Sequence, residues 1–529
     1  MLAAIAALPS SCADRESPQA PGVAAEPRVL RRGLAGQPGS LDPQRAEDAF
    51  SYDVLRDLYE GLVTSDPAGR VVPAAADSWE VSADGRTYAF SLRRDARWSN
   101  GDPVVAGEFV VALRRALNPA TASGAADLLR AIEHAPEILR GELAPDRLGV
   151  SAPDEHRLEI RLSRPVPYFP DILTNTVVSP VHASTLAGDG GFSRPGSTVT
   201  NGPYRLAALA PGSSLRLVRN EHYWDRAAVA YDEVRYEIVP DENAEFARYR
   251  ARELDVTNSV PEQRFEELAR DPDSGLQHRP WLATFYLTLN TDRGPLRGRP
   301  DLRQALSLAL DREAITTAIA RAGQVPAYAL VPDGVWNYAP AHYDWSRASH
   351  DERLARARSL YAAAGFSPAR PLRLRLLYNE NELVQKVCVA IAAMWKESLG
   401  VETELVQMEF KAYLAARADP EQWDVVRVGW TADYNDASTF LDTMLEGSPQ
   451  NFGRWVDAGY ARLLEAAAHE SDATRRRETL QQAEALMLQD YPLLPVYFYV
   501  TRRLVQPWVL APPINPMNRT YSRYFRPAQ

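Results

Sequence analysis

The sequence predicts an α/β protein built from more than one domain, and three observations carry that expectation. Segments with period-two alternation and segments with helical spacing of apolar residues interleave along the chain. Residues 372–430 read as strand, helix, strand, helix, strand, the order of βαβ units. At 529 residues the chain is too long for one hydrophobic core, so two or three domains are expected.

In chain order, TYAFSL (87–92) sets Tyr88, Phe90 and Leu92 on one face and predicts a strand. The turn-rich RWSNGDP leads to VVAGEFVVALRRALN, where Phe109, Leu113, Ala116 and Leu117 recur at helical spacing. YRLAALAPGSSLRLVRN predicts a hairpin turned at Pro211 and Gly212. DLRQALSLALDREAI aligns Leu302, Ala305, Leu306, Ala309 and Leu310 in one stripe and predicts a single amphipathic helix. LRLRLLY predicts a strand, residues 382–398 a long helix, VETELV a strand, then a helix, then the strand DVVRV. The stretch VGWTADYNDASTF begins where that last strand stops, which is where α/β folds hold their binding groups.

Composition excludes several functions. Apolar residues make up 45% of the chain and charged residues 24%, as in ordinary globular proteins. A net charge of -10 argues against nucleic acid as a partner, since phosphate binding needs a clustered positive face. Lys386, Lys396 and Lys411 are the only lysines among 59 basic residues, a bias of coding that makes any single arginine weak support for a site. No stretch after the N-terminus has the ~18 consecutive apolar residues that would span a bilayer. Cys388 falls in the helical pattern LVQKVCVAIAAMW and is expected as a small buried hydrophobe.

The N-terminal MLAAIAALPSSC is apolar, small and ends in Cys12; the polar, proline-rich residues 13–27 read as a flexible tether. This resembles a bacterial lipoprotein signal with Cys12 as the lipidated residue, although no Lys or Arg precedes the apolar run and Pro9 stands where leucine is usual.

Catalytic signatures are missing: there is no GxSxG, HExxH, GxxxxGK or GxGxxG, and the eight histidines never pair at metal-ligand spacing. Neither a cofactor nor a metal is expected. Asp433 and Asp436 could form a carboxylate pair for acid and base work. The alternative is that Asp436 caps the helix predicted for ASTFLDTML. Binding without chemistry is the economical inference.

Five collinear segments resemble one family, the oligopeptide-binding receptors of ABC importers, periplasmic solute-binding proteins of the large three-lobed class. They are SLDPQRAEDAFSYDVLRDLYEGLV, DSWEVSADGRTYAFSLRRDARWSNGDPVVAGEFV, NGPYRL with RNEHYWD, LRQALSLALDREAI, and DVVRVGWTADYNDASTFLDTML. The resemblance implies a periplasmic-binding-protein-like fold of two large lobes on a hinge, with a small lobe inserted in the first. The first lobe would comprise residues 28–59, 184–285 and 501–529, the inserted lobe 60–183 and the second large lobe 286–500. A peptide would lie extended between the large lobes, pairing like an added β-strand.

The resemblance also implies roles for particular residues. Asp433 stands where peptide-binding members pair with the ligand's α-ammonium. Arg427, Arg417 and Glu47 match cleft positions, the arginines to receive the peptide carboxylate. Trp430 and Phe410 would supply pocket walls, and Tyr497 an anchoring hydroxyl. Val384 replaces a histidine, Thr431 replaces half a disulfide, and ASGAADLL (122–129) puts small residues where relatives carry an aromatic wall.

The resulting expectation is a monomeric receptor in the periplasm or cell envelope, lipid-anchored, delivering short peptides to an ABC permease. A murein peptide, an opine or an oligosaccharide are alternative ligands, and a peptide or glycan hydrolase is the reading from another class.

Overall fold

The structure, a computed structural model, describes residues 26–187 and 191–528, so Cys12 and most of the tether lie outside the described residues. Mixed sheets and helices form the α/β fold. One four-stranded sheet has the order Val29–Leu34, Glu233–Ile238, Ser214–Arg219, Tyr204–Ala210, parallel in its first pair and antiparallel thereafter. Its last two strands are the predicted hairpin, with Gly212 at φ +70°, a conformation that glycine adopts without a Cβ clash.

A second four-stranded sheet is antiparallel throughout, in the order Ala76–Val81, Thr87–Leu92, Arg157–Arg161, Val150–Asp154. Tyr88, Phe90 and Leu92 point inward as their alternation requires. The helix Ala106–Leu117 packs on this sheet through Phe109, Leu113, Ala116 and Leu117.

The third sheet has six strands, ordered Val325–Pro326, Leu493–Leu504, Leu276–Leu289, Val425–Thr431, Arg373–Asn379, Glu402–Met408. The strands at 373–379, 402–408 and 425–431 and the helices Glu382–Leu399 and Phe410–Arg417 follow the order read from sequence. Cys388 is fully buried on the first of these helices, and burial pushes its thiol up to about 12, as befits a packing residue.

One element differs from expectation. The apolar stripe from Leu302 to Leu310 does not lie on one continuous helix: Pro300–Leu308 ends, and Arg312–Ala314 begins a second segment running into a wide π-turn at Ile315–Ala320. Asp311 causes the break, because its carboxylate caps the new start by accepting the Ala314 N–H at 2.9 Å. All five stripe residues stay buried.

Buried apolar side chains gather in two large clusters. One draws on residues 30–256 together with Tyr434, Val505, Val509 and Phe525; the other draws on residues 282–497. Two long antiparallel strands, Leu276–Leu289 and Leu493–Leu504, run from one cluster to the other. Their ladder is interrupted midway: Pro280 pairs with Val500 and Thr284 with Phe498, leaving Trp281, Leu282 and Ala283 opposite Tyr499 alone. A bulge beside a proline, which has no N–H to donate, is a weak point where the pair can bend. The C-terminal segment then stitches the first half together: Arg523 donates to Glu60 at 2.6 Å, and the Ser522 N–H donates to Asp57 at 2.9 Å.

Candidate functional site

Between the two halves lies a cavity of about 970 Å³, large enough for a short peptide. The helix Ala49–Leu58 supplies Phe50, Tyr52, Asp53 and Arg56, and the segment 124–131 supplies Gly124, Ala125, Asp127, Leu128 and Arg130. From the interrupted ladder come Trp281, Tyr499 and Arg502; from the loop after strand Val425–Thr431 come Asp433 and Tyr434. Arg519 closes the floor from the C-terminal segment.

The walls carry both charges. Asp433 is exposed to the solvent of the cleft, yet the two walls crowd it, and this desolvation pushes its carboxyl up to about 6, opposed by the Arg519 guanidinium. Its backbone N–H donates to Thr439 Oγ1 at 3.2 Å, which folds the loop back on itself. No side-chain partner within the described residues pairs with its carboxylate. Arg519 is buried and donates to the Thr174 hydroxyl and to the Asp433 carbonyl at 3.3 Å, and burial depresses its pKa.

Of the three residues after Asp433, Tyr434 and Asn435 bind the halves to one another and Asp436 anchors the loop within the second. The Tyr434 ring stacks on Tyr168 with centroids 4.5 Å apart and planes 5° apart. Asn435 donates to the Gly69 carbonyl at 3.1 Å and accepts the Trp336 N–H at 3.0 Å. Asp436 forms a bidentate pair with Arg476 at 2.6 and 2.8 Å, which holds its pKa below the usual range against the burial that would raise it. Asp436 also accepts the Ser438 N–H at 3.0 Å, at the start of the short helix Ser438–Leu441, so its job is structural on both counts.

Of the residues given a ligand-binding role from sequence, Asp433 lines the cavity, as do Thr431 and part of the 122–129 stretch. Arg427 sits on the cleft-facing side of its strand, one step behind Tyr499, donating to the Tyr499 hydroxyl at 2.7 Å and to Asn379 Oδ1 at 3.1 Å. Its guanidinium stacks over Phe285 at 4.8 Å, no carboxylate pairs with it within the described residues, and its buried Nε has no acceptor there. Arg417 stacks on Phe452 at 4.6 Å and on Tyr413 at 5.6 Å. The Tyr413 hydroxyl donates to the Arg427 carbonyl, so the two arginines are neighbours. Glu47 is exposed beside the cavity at Gly124, where a Cβ would stand 2.5 Å from Glu47 Oε1. A side chain at position 124 would push the Glu47 carboxylate aside.

Three aromatic residues stand apart from the cavity in this arrangement of the chain. Trp430 falls on the opposite face of its strand from Arg427 and Gly429 and packs on the second core cluster, because alternation turns it away. Tyr497 is 1% exposed, stacked on Phe285 at 4.7 Å, and it is Tyr499, one pleat nearer the bulge, that reaches the cavity. Phe410 is 54% exposed at the start of its helix, outside the cavity. A side pocket of about 340 Å³ adjoins the cavity beside the small residues 124–126, sharing Gly124, Asp127 and Arg130 with it.

Arg519, Arg56, Tyr168 and Tyr499 were not legible as site residues. Arginine is too common in this chain to stand out, and the tyrosines reach the cleft only through pairings distant in sequence. No group of three or more metal-ligating side chains converges among the described residues.

Comparison with known proteins gives a consistent picture. Residues 70–452 match the family model described as bacterial extracellular solute-binding proteins, family 5, middle. The periplasmic murein peptide-binding protein MppA of Escherichia coli K12 is 36% identical over 504 residues, covering 95% of this chain and 93% of that protein. Among solved structures, the unliganded open form of MppA matches with a TM-score of 0.87 at 35% identity, covering 95% of this chain and 98% of that one. Haemophilus influenzae OppA in complex with RPPGFSPFR matches with a TM-score of 0.75 at 32% identity, covering 95% and 99%. At nearly equal identity and coverage, the greater likeness is to the open form.

Proposed function

Because the chain belongs to the bacterial extracellular solute-binding proteins of family 5, we propose that it is an extracytoplasmic receptor that binds short peptides between its two halves and hands them to an ABC permease. The observation that carries this reading is Asp433. It offers a carboxylate without a side-chain partner among the described residues to a cavity wide enough for a peptide, at a place where being ionised is costly. An arriving α-ammonium removes that cost, and every unblocked peptide has one.

Arg427 and Arg417 fit the opposite end. They are adjacent guanidiniums with no carboxylate partner among the described residues, stacked on aromatic rings that hold them ready for a ligand carboxylate. Arg427 and Asp433 lie six residues apart on and just past one strand, a span of roughly 20 Å if extended. An extended pentapeptide, about 17 Å long, comes close to that span, shorter peptides meet the arginines through water, and closure about the bulge at Trp281–Ala283 brings the walls together. Glu47, Trp430, Phe410 and Tyr497 join the ligand on closure. Lipid attachment at Cys12 and a monomeric state complete the proposal.

Thermal unfolding with added peptides tests it. Tri- to pentapeptides with free amino termini raise the melting temperature, and their N-acetylated versions do not. Equal shifts from both would remove the ammonium from the account. The second reading, a murein-derived peptide as ligand, is favoured by the likeness to MppA, whose name states that ligand. Mass spectrometry of the small molecule that copurifies separates the two.

A further inference from the structure

Asp442 is the cavity-lining acid that the peptide reading leaves unused. It begins the turn that follows the helix Ser438–Leu441, and its carboxylate makes no hydrogen bond or ion pair within the described residues. Asp442 lines the same cavity as Asp433, and the stacked Tyr168 and Tyr434 form a wall of that cavity.

Their neighbours differ. Asp436, the remaining acid of this loop, is neutralised by Arg476. Asp442 feels two cations, Arg164, exposed on the facing segment that lines the same cavity, and Arg476, already paired with Asp436, and among the described residues neither is within ion-pair distance of it. Burial among Tyr168, Tyr434 and Tyr460, with Asp436 close by, pushes the Asp442 carboxyl up to about 7. A carboxylate that is half-buried, open to the cleft and disfavoured when ionised is a receptor for a second positive charge.

We propose that Asp442 receives a cationic side chain of the ligand's amino-terminal residue, which makes the receptor selective for peptides beginning with lysine, ornithine or arginine. This rests on the peptide reading, with the α-ammonium on Asp433. From there a four-carbon side chain running along the Tyr168–Tyr434 wall reaches Asp442, and its methylenes cover the rings while its ammonium meets the acid. A neutral side chain of the same length would cover the rings and leave the acid unpaired.

Calorimetric titration of Lys-Ala-Ala against norleucine-Ala-Ala tests the inference, since the two differ at the amino-terminal side chain only. The wild-type protein is expected to prefer the lysine peptide by at least about tenfold, the size of one charge-assisted hydrogen bond. In Asp442→Asn the ratio of the two affinities falls to about one, with ligand-free thermal unfolding checking that the variant is folded. A wild-type ratio near one overturns the inference, and this comparison needs no variant. A preference that survives in Asp442→Asn, including the case where both peptides weaken equally because Asp442 latches onto Arg164 on closure, also overturns it. Failure of both peptides to bind the wild-type protein would instead defeat the peptide reading and the inference with it.

Discussion

Asp433 combines an exposed carboxylate with surroundings that disfavour its charge, and the sign of its pH dependence follows. Its pKa in the folded protein is raised to about 6, so the folded state binds more protons than the unfolded chain between about pH 4 and 6. The residue is therefore a small liability to stability at neutral pH, relieved as pH falls through 6. Binding has the opposite sense, because the ammonium needs the carboxylate. Affinity for a peptide with a free amino terminus is expected to be highest near pH 7, to fall below pH 6 by up to about tenfold per unit, and to decline by about twofold towards pH 8 as the ligand's own α-ammonium loses its proton. Asp433→Asn should flatten that profile. Calorimetry across pH 5–8 checks both, and an unchanged profile in Asp433→Asn would move the titration to another group.

Two aspartates three residues apart were weighed from sequence as a catalytic pair, and their environments separate them. Asp436 is locked to Arg476 and to the Ser438 N–H, whereas Asp433 is held by its backbone only. The helix-capping alternative for Asp436 could be read from its cap-type neighbours. The Arg476 partner could not, because it lies forty residues downstream.

At the scale of elements, the segment 434–436 fastens the loop to both halves, and its energetic weight lies in the buried ion pair. Arg476 and Asp436 have side chains only 12% and 13% exposed. Asp436→Asn leaves that guanidinium buried without its counter-charge, and the expected loss is about 3 kcal/mol of unfolding free energy in denaturant titration. Asp433→Asn should change it by no more than about 0.5 kcal/mol. Because the paired Asp436 has a lowered pKa, its contribution is present above about pH 4 and is lost as pH falls further.

A second such device is Glu484 in the helix Ala473–Asp490. It is fully buried and accepts from the Leu330, Val331 and Ala341 N–H groups and the Tyr338 hydroxyl. Glu484→Ala is expected to release the 328–341 loop at a cost of roughly 3 kcal/mol, measurable as faster amide exchange confined to that loop.

Most elements were legible in sequence because their periodicity is local. The alternation at 87–92, the hairpin at Gly212 and the 373–431 strand order needed no tertiary information. The helix from Leu302 was overextended because its apolar stripe continues through Leu310, while Asp311, a residue that caps, decides where the backbone breaks. The site was legible at Asp433, where a motif coincides with a strand end. It was not legible at Arg519 or Tyr168, which meet Asp433 and Tyr434 only when distant segments converge.

For the whole molecule, two core clusters joined by a pair of long strands with a bulge at Trp281–Ala283 make hinge bending the expected motion. Likeness to the unliganded open form of MppA fits an open resting arrangement. Small-angle scattering should record a smaller radius of gyration on addition of a binding peptide and no change with its N-acetylated form. A hinge that closes without ligand, seen as the same compact radius in both, would contradict the role given to the ammonium.

The most direct measurement is a cycle of four calorimetric titrations: wild type and Asp433→Asn, each against a tripeptide with a free and with an acetylated amino terminus. If Asp433 meets the ammonium, the mutation weakens the free peptide by about a hundredfold and leaves the acetylated one nearly untouched, so the two changes are coupled. Equal losses for both peptides would show that Asp433 acts on the fold of the cleft and not on the ligand's charge.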